Sequence, residues 1–315
     1  MTNPNKTYAI ERLCIHNIAD LSRLHEAVYR RKQADGFFEN KYDTIYTGAK
    51  YVGYFAYNEQ HQPMAFYGVI PTVLWHDKCT ILAAQSADTM THPDYRNRGL
   101  FTELANHTYA LCKTEGIRLL FGFPNQNSLP GLINKLDWHI TEVMDRFHIR
   151  VKGGLPLEKI AYKFPILRKA YVRYQQWVLK GYLKTKYGMP NSALSGDSNG
   201  VYHNADYLKY KTYSSTIVIE VEGARFWIKL QNGIQIGDIE NLNNNFNTTI
   251  AKLRQLARKL GVTGIHFQVS PGTSLHRLFA EHYQPEPSFP VIFRDLGYNL
   301  ATENIKFTLA DIDIF

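Results

Sequence analysis

The spacing of apolar and polar residues changes several times between Tyr8 and Val151, and each change marks an element. "YAIERLCI", from residue 8, reads as a strand. From Ile18 to Lys32 the residues Leu21, Leu24, His25 and Val28 form one stripe at helical spacing, with Asp20 near the start, so a helix is predicted. A second short helical stretch covers residues 38–46. "YVGYFAYN", "MAFYGVIPTVLWH" and "TILAAQSADTM" are rich in aromatic and β-branched residues. The turn-forming stretches "EQHQP" and "HDK" separate them, as in antiparallel hairpins. The next helix carries Phe101, Leu104, Ala105, Thr108, Leu111 and Cys112 on one face and stops before Gly116. "IRLLFGF" is a short buried strand, "NSLPGLINKL" a short helix and "HITEVMDRFHIRV" a closing strand. The order β, α, α, β, β, β, α, β, α, β predicts an α/β (α+β) fold, a mixed and mainly antiparallel sheet flanked by helices.

The second half repeats part of this order. "FTELANHTYALCKTEGIRLLFGFPNQNSL" set above "FNTTIAKLRQLARKLGVTGIHFQVSPGTSL" brings Phe101 to Phe246 and Gly116 to Gly261, with a Ser-Leu helix start after each buried strand. "FWIKLQNGIQIGDIE" supplies the preceding hairpin. An internal duplication follows as an expectation, with domains at 1–150 and 201–315 joined by a connector at 151–200. That connector is basic and aromatic together: Lys159, Lys163, Arg168, Lys169, Arg173, Lys180, Lys184 and Lys186 stand against Glu158 alone. Its aromatic stripe is expected to pack on the protein, with the charges in water. The alternative is peripheral contact with an anionic membrane or polymer through residues 155–188. No nucleic-acid-recognition motif accompanies it, so no nucleic-acid partner is expected. "NSALSGDSNG", residues 191–200, reads as a flexible boundary.

Composition narrows the picture only slightly. The chain has 315 residues, 44% of them hydrophobic, which suits two domains with buried cores. Cys14, Cys79 and Cys112 lack metal-ligand spacing and read as reduced thiols, so no metal is expected and the cytoplasm is the expected compartment. No apolar run approaches the roughly eighteen residues of a spanning helix. The net charge of +8 favours anionic ligands without choosing among them.

The choice turns on "HPDYRNRGLF", residues 92–101. Arg96, Arg98 and Gly99 stand where a strand hands over to a helix, whose first N–H groups lack partners and whose dipole is positive at that end. A diphosphate suits such a place. The strand, "HPDYRNRG", amphipathic helix, strand and asparagine-led short helix resemble the acetyl-CoA-binding half of the GNAT superfamily of N-acetyltransferases, over residues 8 to about 150. That family's cradle reads Arg or Gln, two residues, Gly, one residue, then Gly or Ala. Arg96 and Gly99 match, and Phe101 replaces the small residue, so its ring must turn into the core to leave the main chain open. The resemblance implies tandem GNAT-like folds. It further implies that acetyl-CoA is bound by Arg96, Asn97, Arg98, Gly99, Leu100, Phe101 and Thr102, with Asn125 and Asn127 near the pantetheine arm or capping the next helix. The second cradle would be "NLNNN", residues 241–245, without arginine or glycine, so one coenzyme per chain is expected.

Acetyl transfer to an amine requires an acceptor nitrogen without its extra proton, a polarised thioester carbonyl and a stabilised thiolate. The resemblance implies polarisation by a main-chain N–H near Met90. Asp88 is the nearest carboxylate and the first candidate base, although a bulge would change the face it occupies. Gln85 stands where some relatives keep a glutamate and could orient substrate. Many relatives carry an acidic tyrosine on the short helix, whereas here the position falls on Ile133 or Asn134. Tyr42, Tyr46 and Tyr67 are candidates to line an acceptor cleft. The terminal "LADIDIF" is expected to fray, or else to fold back and offer Asp311 or Asp313. The activity expected is N-acetylation of a primary amine, an amino sugar or nucleotide-linked amino sugar of cell-envelope polysaccharide. The alternatives are an envelope-peptide aminoacyl transferase and a module that binds acetyl-CoA or an anionic polymer without turnover.

Overall fold

A computed structural model describes residues 8–185, 187–194, 196, 198–242 and 245–315. The chain divides into two compact units, Met1–Thr141 with Pro290–Glu303, and Glu142–Phe289 with Asn304–Phe315. These limits differ from a division at residues 150 and 201, because strand pairing assigns two segments against their sequence neighbours.

The first unit follows the expected order closely. Its elements are β1 (Tyr8–Arg12), α1 (Ile18–Tyr29), α2 (Phe37–Tyr42), β2 (Gly53–Asn58), β3 (Pro63–His76), β4 (Cys79–Thr91), α3 (Leu100–Thr114), β5 (Leu119–Gly122) and α4 (Leu129–Leu136), followed by the first residues of β6 (His139–Arg150). β1 to β4 form an antiparallel meander, and β5 lies parallel to β4. The far edge of β5 pairs antiparallel with Ile292–Asp295. α3 buries Leu100, Leu104, Ala105, Thr108, Leu111 and Cys112, the predicted stripe, against β2, β3 and β4. α1 packs on β3 and β4. β3 is therefore buried along most of its length, as a strand covered on both faces should be.

In the second unit β6 continues from Glu142. β7 (Leu183–Thr185), β8 (Gly200–Val201), β9 (Thr216–Val221), β10 (Ala224–Leu230), β11 (Ile234–Glu240), β12 (Gly264–Val269) and β13 (Glu286–Asp295) follow in sequence. The helices are α5 (Leu157–Lys163), α6 (Arg168–Leu179), α7 (Ala205–Tyr210), α8 (Phe246–Lys259) and α9 (Ser274–Ala280). β9, β10 and β11 form an antiparallel meander, β12 runs parallel to β11, and Asp145–Arg150 of β6 pairs antiparallel with β12. The local order hairpin, helix, parallel strand, short helix thus occurs in both halves of the sequence. Of the expected second cradle, Asn243 and Asn244 lie outside the described residues; Asn245 precedes α8 at φ −109°.

The connector and the C-terminus both depart from expectation. Tyr171 and Tyr174 donate their hydroxyls to the carbonyls of Leu260 and Lys259, 2.9 and 2.7 Å away, and Glu158 is buried against the Gly233 N–H. Leu179 is also buried, with Val178 and Tyr182 packed on the same core, whereas Tyr162, Phe164, Leu167 and Val172 are exposed, Trp177 is 73% and Ile166 88% exposed. A single face of so short a helix cannot bury apolar residues that recur all round it. The terminal segment does not fray. Asp311 is buried, taking a hydrogen bond from Asn191 at 3.0 Å and facing His203 Nε2 at 2.8 Å, and Phe315 packs edge-on to Trp227. The buried pairing keeps Asp311 within the core of the second unit. Among the described residues no helix is long and apolar enough to cross a membrane.

Residues 290–295 supply Val291, Ile292 and Phe293, all fully buried, to the first unit. Phe293→Ala should destabilise the protein by about 3–5 kcal/mol, read as a lower urea midpoint; an unchanged midpoint would contradict the placement of this strand in the core.

Candidate active site

The β3–β4 pairing contains one irregularity, and the site is built around it. Phe66 faces Met90 and Gly68 faces Ala87, so Asp88 and Thr89 together oppose Tyr67. This is a β-bulge, and Asp88 takes the left-handed conformation with φ +51°. The bulge aims the carboxylate at α2. Lys41 Nζ lies 2.6 Å from Asp88 Oδ2, and the Tyr42 hydroxyl donates to the same oxygen at 3.1 Å. Lys41 is 3% exposed and Tyr42 fully buried, so both donors are held by packing.

Gly68 makes this approach possible. A Cβ there would lie 2.7 Å from the Tyr42 hydroxyl and 2.6 Å from the Phe66 ring. The Tyr42 ring stands edge-on to Phe66, which in turn packs on Phe55. Glycine inside a strand marks a close approach of this kind, and it was the one signal in the sequence that could have pointed to Lys41. Both donors meet Oδ2, which fixes the orientation of the carboxylate.

β4 and β5 pair in parallel only from Ala83–Leu119 to Gln85–Phe121, and β4 runs on to Thr91. Buried Gln85 therefore marks the last rung before the strands part, and Met90, also buried, follows the bulge. On the opposite face Trp138 Nε1–H donates to the Tyr109 hydroxyl at 2.8 Å, and Tyr109 and Tyr67 share a hydrogen bond of 2.8 Å. Ser86 Oγ lies 3.4 Å from the Tyr67 hydroxyl. Burial pushes the Tyr67 phenol well above its ordinary range and that of Tyr109 up to about 12.

The three tyrosines expected to line one cleft thus separate. Tyr42 holds Asp88. Tyr46 reaches Thr72 Oγ1 at 3.5 Å, further along β3. Tyr67 is buried beneath α3, because strand alternation puts it on the face opposite Phe66 and Gly68.

The mouth of α3 lies past the end of β4. A turn at Pro93–Tyr95 leads into exposed Arg96, Asn97, Arg98 and Gly99, with Asn97 at φ +62° and Gly99 at φ +78°. The first helical bond runs from Glu103 N–H to the Gly99 carbonyl, so the N–H groups of Leu100, Phe101 and Thr102 point out of the helix end. A Cβ on Gly99 would meet nothing within 4 Å. Glycine suits this position by its left-handed backbone conformation. The Arg98 guanidinium lies 5.1 Å from the Tyr95 ring centre. Phe101 turns inward, edge-on to Tyr67 and close against Gly131, where a Cβ would be 3.1 Å from the ring. The small residue is absent from the cradle, yet its position on the main chain is left open. Gly99, Thr102, Glu103, Asn106, His107 and Ala110 border an open groove of about 470 Å³. Glu103 is engaged by the Tyr8 hydroxyl at 2.5 Å, and burial followed by that contact pushes the Tyr8 phenol up to about 12.

Asn125 Oδ1 accepts the N–H groups of Asn127 and Ser128, at 2.9 and 3.1 Å, and so shapes the start of α4; both asparagines are exposed. Residues 133 and 134 on α4 are Ile and Asn as expected, and the helix offers no tyrosine.

This geometry matches a known class. Residues 10–141 match the family model described as an acetyltransferase (GNAT) domain, and acyl transfer in general is the class of activity this match supports. A conserved protein of unknown function from Enterococcus faecalis V583 superposes with a TM-score of 0.60 at 11% identity, over 92% of this chain and 73% of that one. A GCN5-related N-acetyltransferase from Kribbella flavida gives 0.56 at 13% identity, over 91% and 71%. Another, from Anabaena variabilis ATCC 29413, gives 0.56 at 13%, over 92% and 73%. At such identities the likeness is one of fold. No curated protein matches the sequence.

The Lys41–Asp88 pair is measurable. A double-mutant cycle with Lys41→Met and Asp88→Asn should give a coupling energy of about 1–3 kcal/mol in denaturant unfolding; additive losses would mean that the pair is not formed.

Proposed function

We propose that the first unit binds acetyl-CoA at the mouth of α3 and transfers its acetyl group to a primary amine. The observation that carries this reading is the succession of two features along the chain: a bulge at Asp88 and Thr89 where β4 has left β5, and, past the end of β4, a left-handed Gly99 before the outward N–H groups of α3. Leu100, Phe101 and Thr102 would supply main-chain donors to the pyrophosphate, with Arg96 and Arg98 adding charge-assisted bonds. Asn97 takes the left-handed turn between the arginines, and Asn125 and Asn127 stand at the start of α4. The main-chain N–H near Met90 would polarise the thioester carbonyl. Asp88, through Oδ1 or an intervening water, would accept the proton the amine loses, and the departing thiolate would take a proton from solvent.

The acceptor we propose is an amino sugar or nucleotide-linked amino sugar used in envelope polysaccharide, handled in the cytoplasm. The surface of α5 and α6 supports work close to a membrane. Ile166 and Trp177 are largely exposed among Lys163, Arg168, Lys169, Arg173 and Lys180, and the only acidic residue of this stretch, Glu158, is turned into the protein. Exposed apolar side chains beside an unbalanced row of cations suit an anionic bilayer surface. The second unit, with its similar local order and no arginine before α8, is proposed as a degenerate copy that binds no coenzyme.

Titration calorimetry with acetyl-CoA followed by thiol-release assays over amino sugars, polyamines, amino acids and peptides tests the whole reading. One coenzyme per chain is expected, and no binding at low salt would refute it. Binding without thiol release on any amine would favour a sensor, and turnover with aminoacyl donors but no acetyl-CoA affinity would favour the aminoacyl transferase.

Two predictions follow from particular residues. Arg96→Ala and Arg98→Ala should each weaken acetyl-CoA binding by about 1.5–3 kcal/mol with the melting temperature unchanged. Gly99→Val should also weaken it, through the strained φ. Unaltered affinity in all three would place the coenzyme elsewhere. For the membrane surface, Trp177→Ala with Ile166→Ser should lower co-sedimentation with phosphatidylserine vesicles by about tenfold, with little binding of either protein to phosphatidylcholine. Equal sedimentation of variant and parent would exclude this surface.

A further inference from the structure

The second unit contains a cationic pocket that the proposed acetyl transfer does not use. Along β6, Phe147 and Ile149 enter the core, and the alternate residues Arg146, His148 and Arg150 lie on the other face. Directly opposite them on β12 stand Gln268, His266 and Gly264. The His148 and His266 rings stack at 4.6 Å with planes 17° apart. A Cβ on Gly264 would lie 3.0 Å from Nε2 of each ring, so both nitrogens converge on space that any other residue would fill.

His148, Arg150, Lys152, Arg254, Arg258 and Tyr283 line a pocket of about 470 Å³. Its lining holds four permanent cations and no carboxylate. Other cations of this unit meet acids: Arg146 pairs with Glu286, Lys184 with Glu220 and Arg225 with Glu240. Within the pocket Arg258 Nε–H donates to the Lys152 carbonyl, and one Arg254 amino group donates to the Tyr283 hydroxyl, both at 3.1 Å. Arg254 Nε is buried with no acceptor in the protein. Gathering like charges around an unsatisfied buried donor is unfavourable unless an anion completes the set. Burial, then His148 and Arg146, push the His266 imidazole down to about 4, so at neutral pH the ring stacked on His148 carries no charge.

We propose that this pocket is a binding site for a small phosphorylated anion carrying at least two negative charges. Arg254 and Arg258, one helical turn apart, offer the paired forks that match phosphate oxygens. A volume of about 470 Å³ suits a diphosphate with an attached group. A phosphomonoester headgroup of a lipid would present the same chemistry as a free phosphate ester.

Calorimetry with pyrophosphate at low ionic strength tests the site, on the full chain, on Arg254→Gln/Arg258→Gln and on Arg96→Ala/Arg98→Ala. The first double variant should lose at least about tenfold in affinity, and the second should retain its binding to this pocket. Should the first double variant fail to fold, Arg150→Gln/Lys152→Gln takes its place. Absence of binding to the parent chain, equal affinity in the pocket variants, or loss only in the α3 variant would overturn the proposal. Phosphatidic acid vesicles distinguish the sources. Sedimentation that pyrophosphate competes away, and that the pocket variants lose, identifies a lipid headgroup, whereas pyrophosphate binding without such sedimentation identifies a soluble phosphate.

Discussion

The bulge opposite Tyr67 is the constraint on which the candidate site depends. One extra residue in β4 turns Asp88 toward α2, and the turn is tolerated because Lys41 and Tyr42 meet its carboxylate there. Tyr42 reaches the sheet only because Gly68 lacks a side chain. The three features support one another. Without the glycine the phenol is pushed away, and without the bulge Asp88 would follow the alternation of a regular strand. The ion pair is also nearly dry, so losing either partner leaves a charge whose desolvation is uncompensated.

Beyond the bulge, β4 has parted from β5 and leads into the α3 mouth. A conformational requirement governs that mouth: Asn97 and Gly99 are both left-handed, and together they bring the chain into the helix with its first N–H groups outward. Phe101 departs from the pattern the sequence resembles without covering the helix mouth. Its ring fills the space beside Gly131 and Tyr67, so the bulk that the pattern forbids is placed behind the main chain.

The first unit takes a strand from a distant part of the sequence. Ile292–Asp295 completes the sheet beside β5, and Arg294 from that strand lies 4.9 Å from the Tyr109 ring centre and donates to the Leu136 carbonyl. Removal of residues 290–303 would thus strip the Tyr67–Tyr109–Trp138 network of a neighbour that nothing in the first 150 residues can replace. The cationic face of the second unit arises similarly, from Arg146, His148 and Arg150 set opposite β12.

The sequence by itself determined the elements and the class of chemistry. The period of its apolar residues located α3 and the β3–β4 hairpin to within a residue or two, since such spacing is local and backbone geometry fixes it. "RNRGL" identified the α3 mouth for the same reason, because its conformation and its charges are contained in five adjacent residues. Tertiary structure alone decided what depends on distant partners. Lys41 and Asp88 are 47 residues apart and meet through a bulge that no local pattern encodes, so the pair was not legible. Tyr42, Tyr46 and Tyr67 look alike in sequence and separate because the pleat assigns faces only once register is set. The assignment of β6 and β13 to their units, the burial of Asp311 at a terminus expected to fray, and the exposure of Trp177 in a stripe expected to pack have the same origin: they follow from the pairing and packing of segments far apart in the chain, and not from the residues beside them.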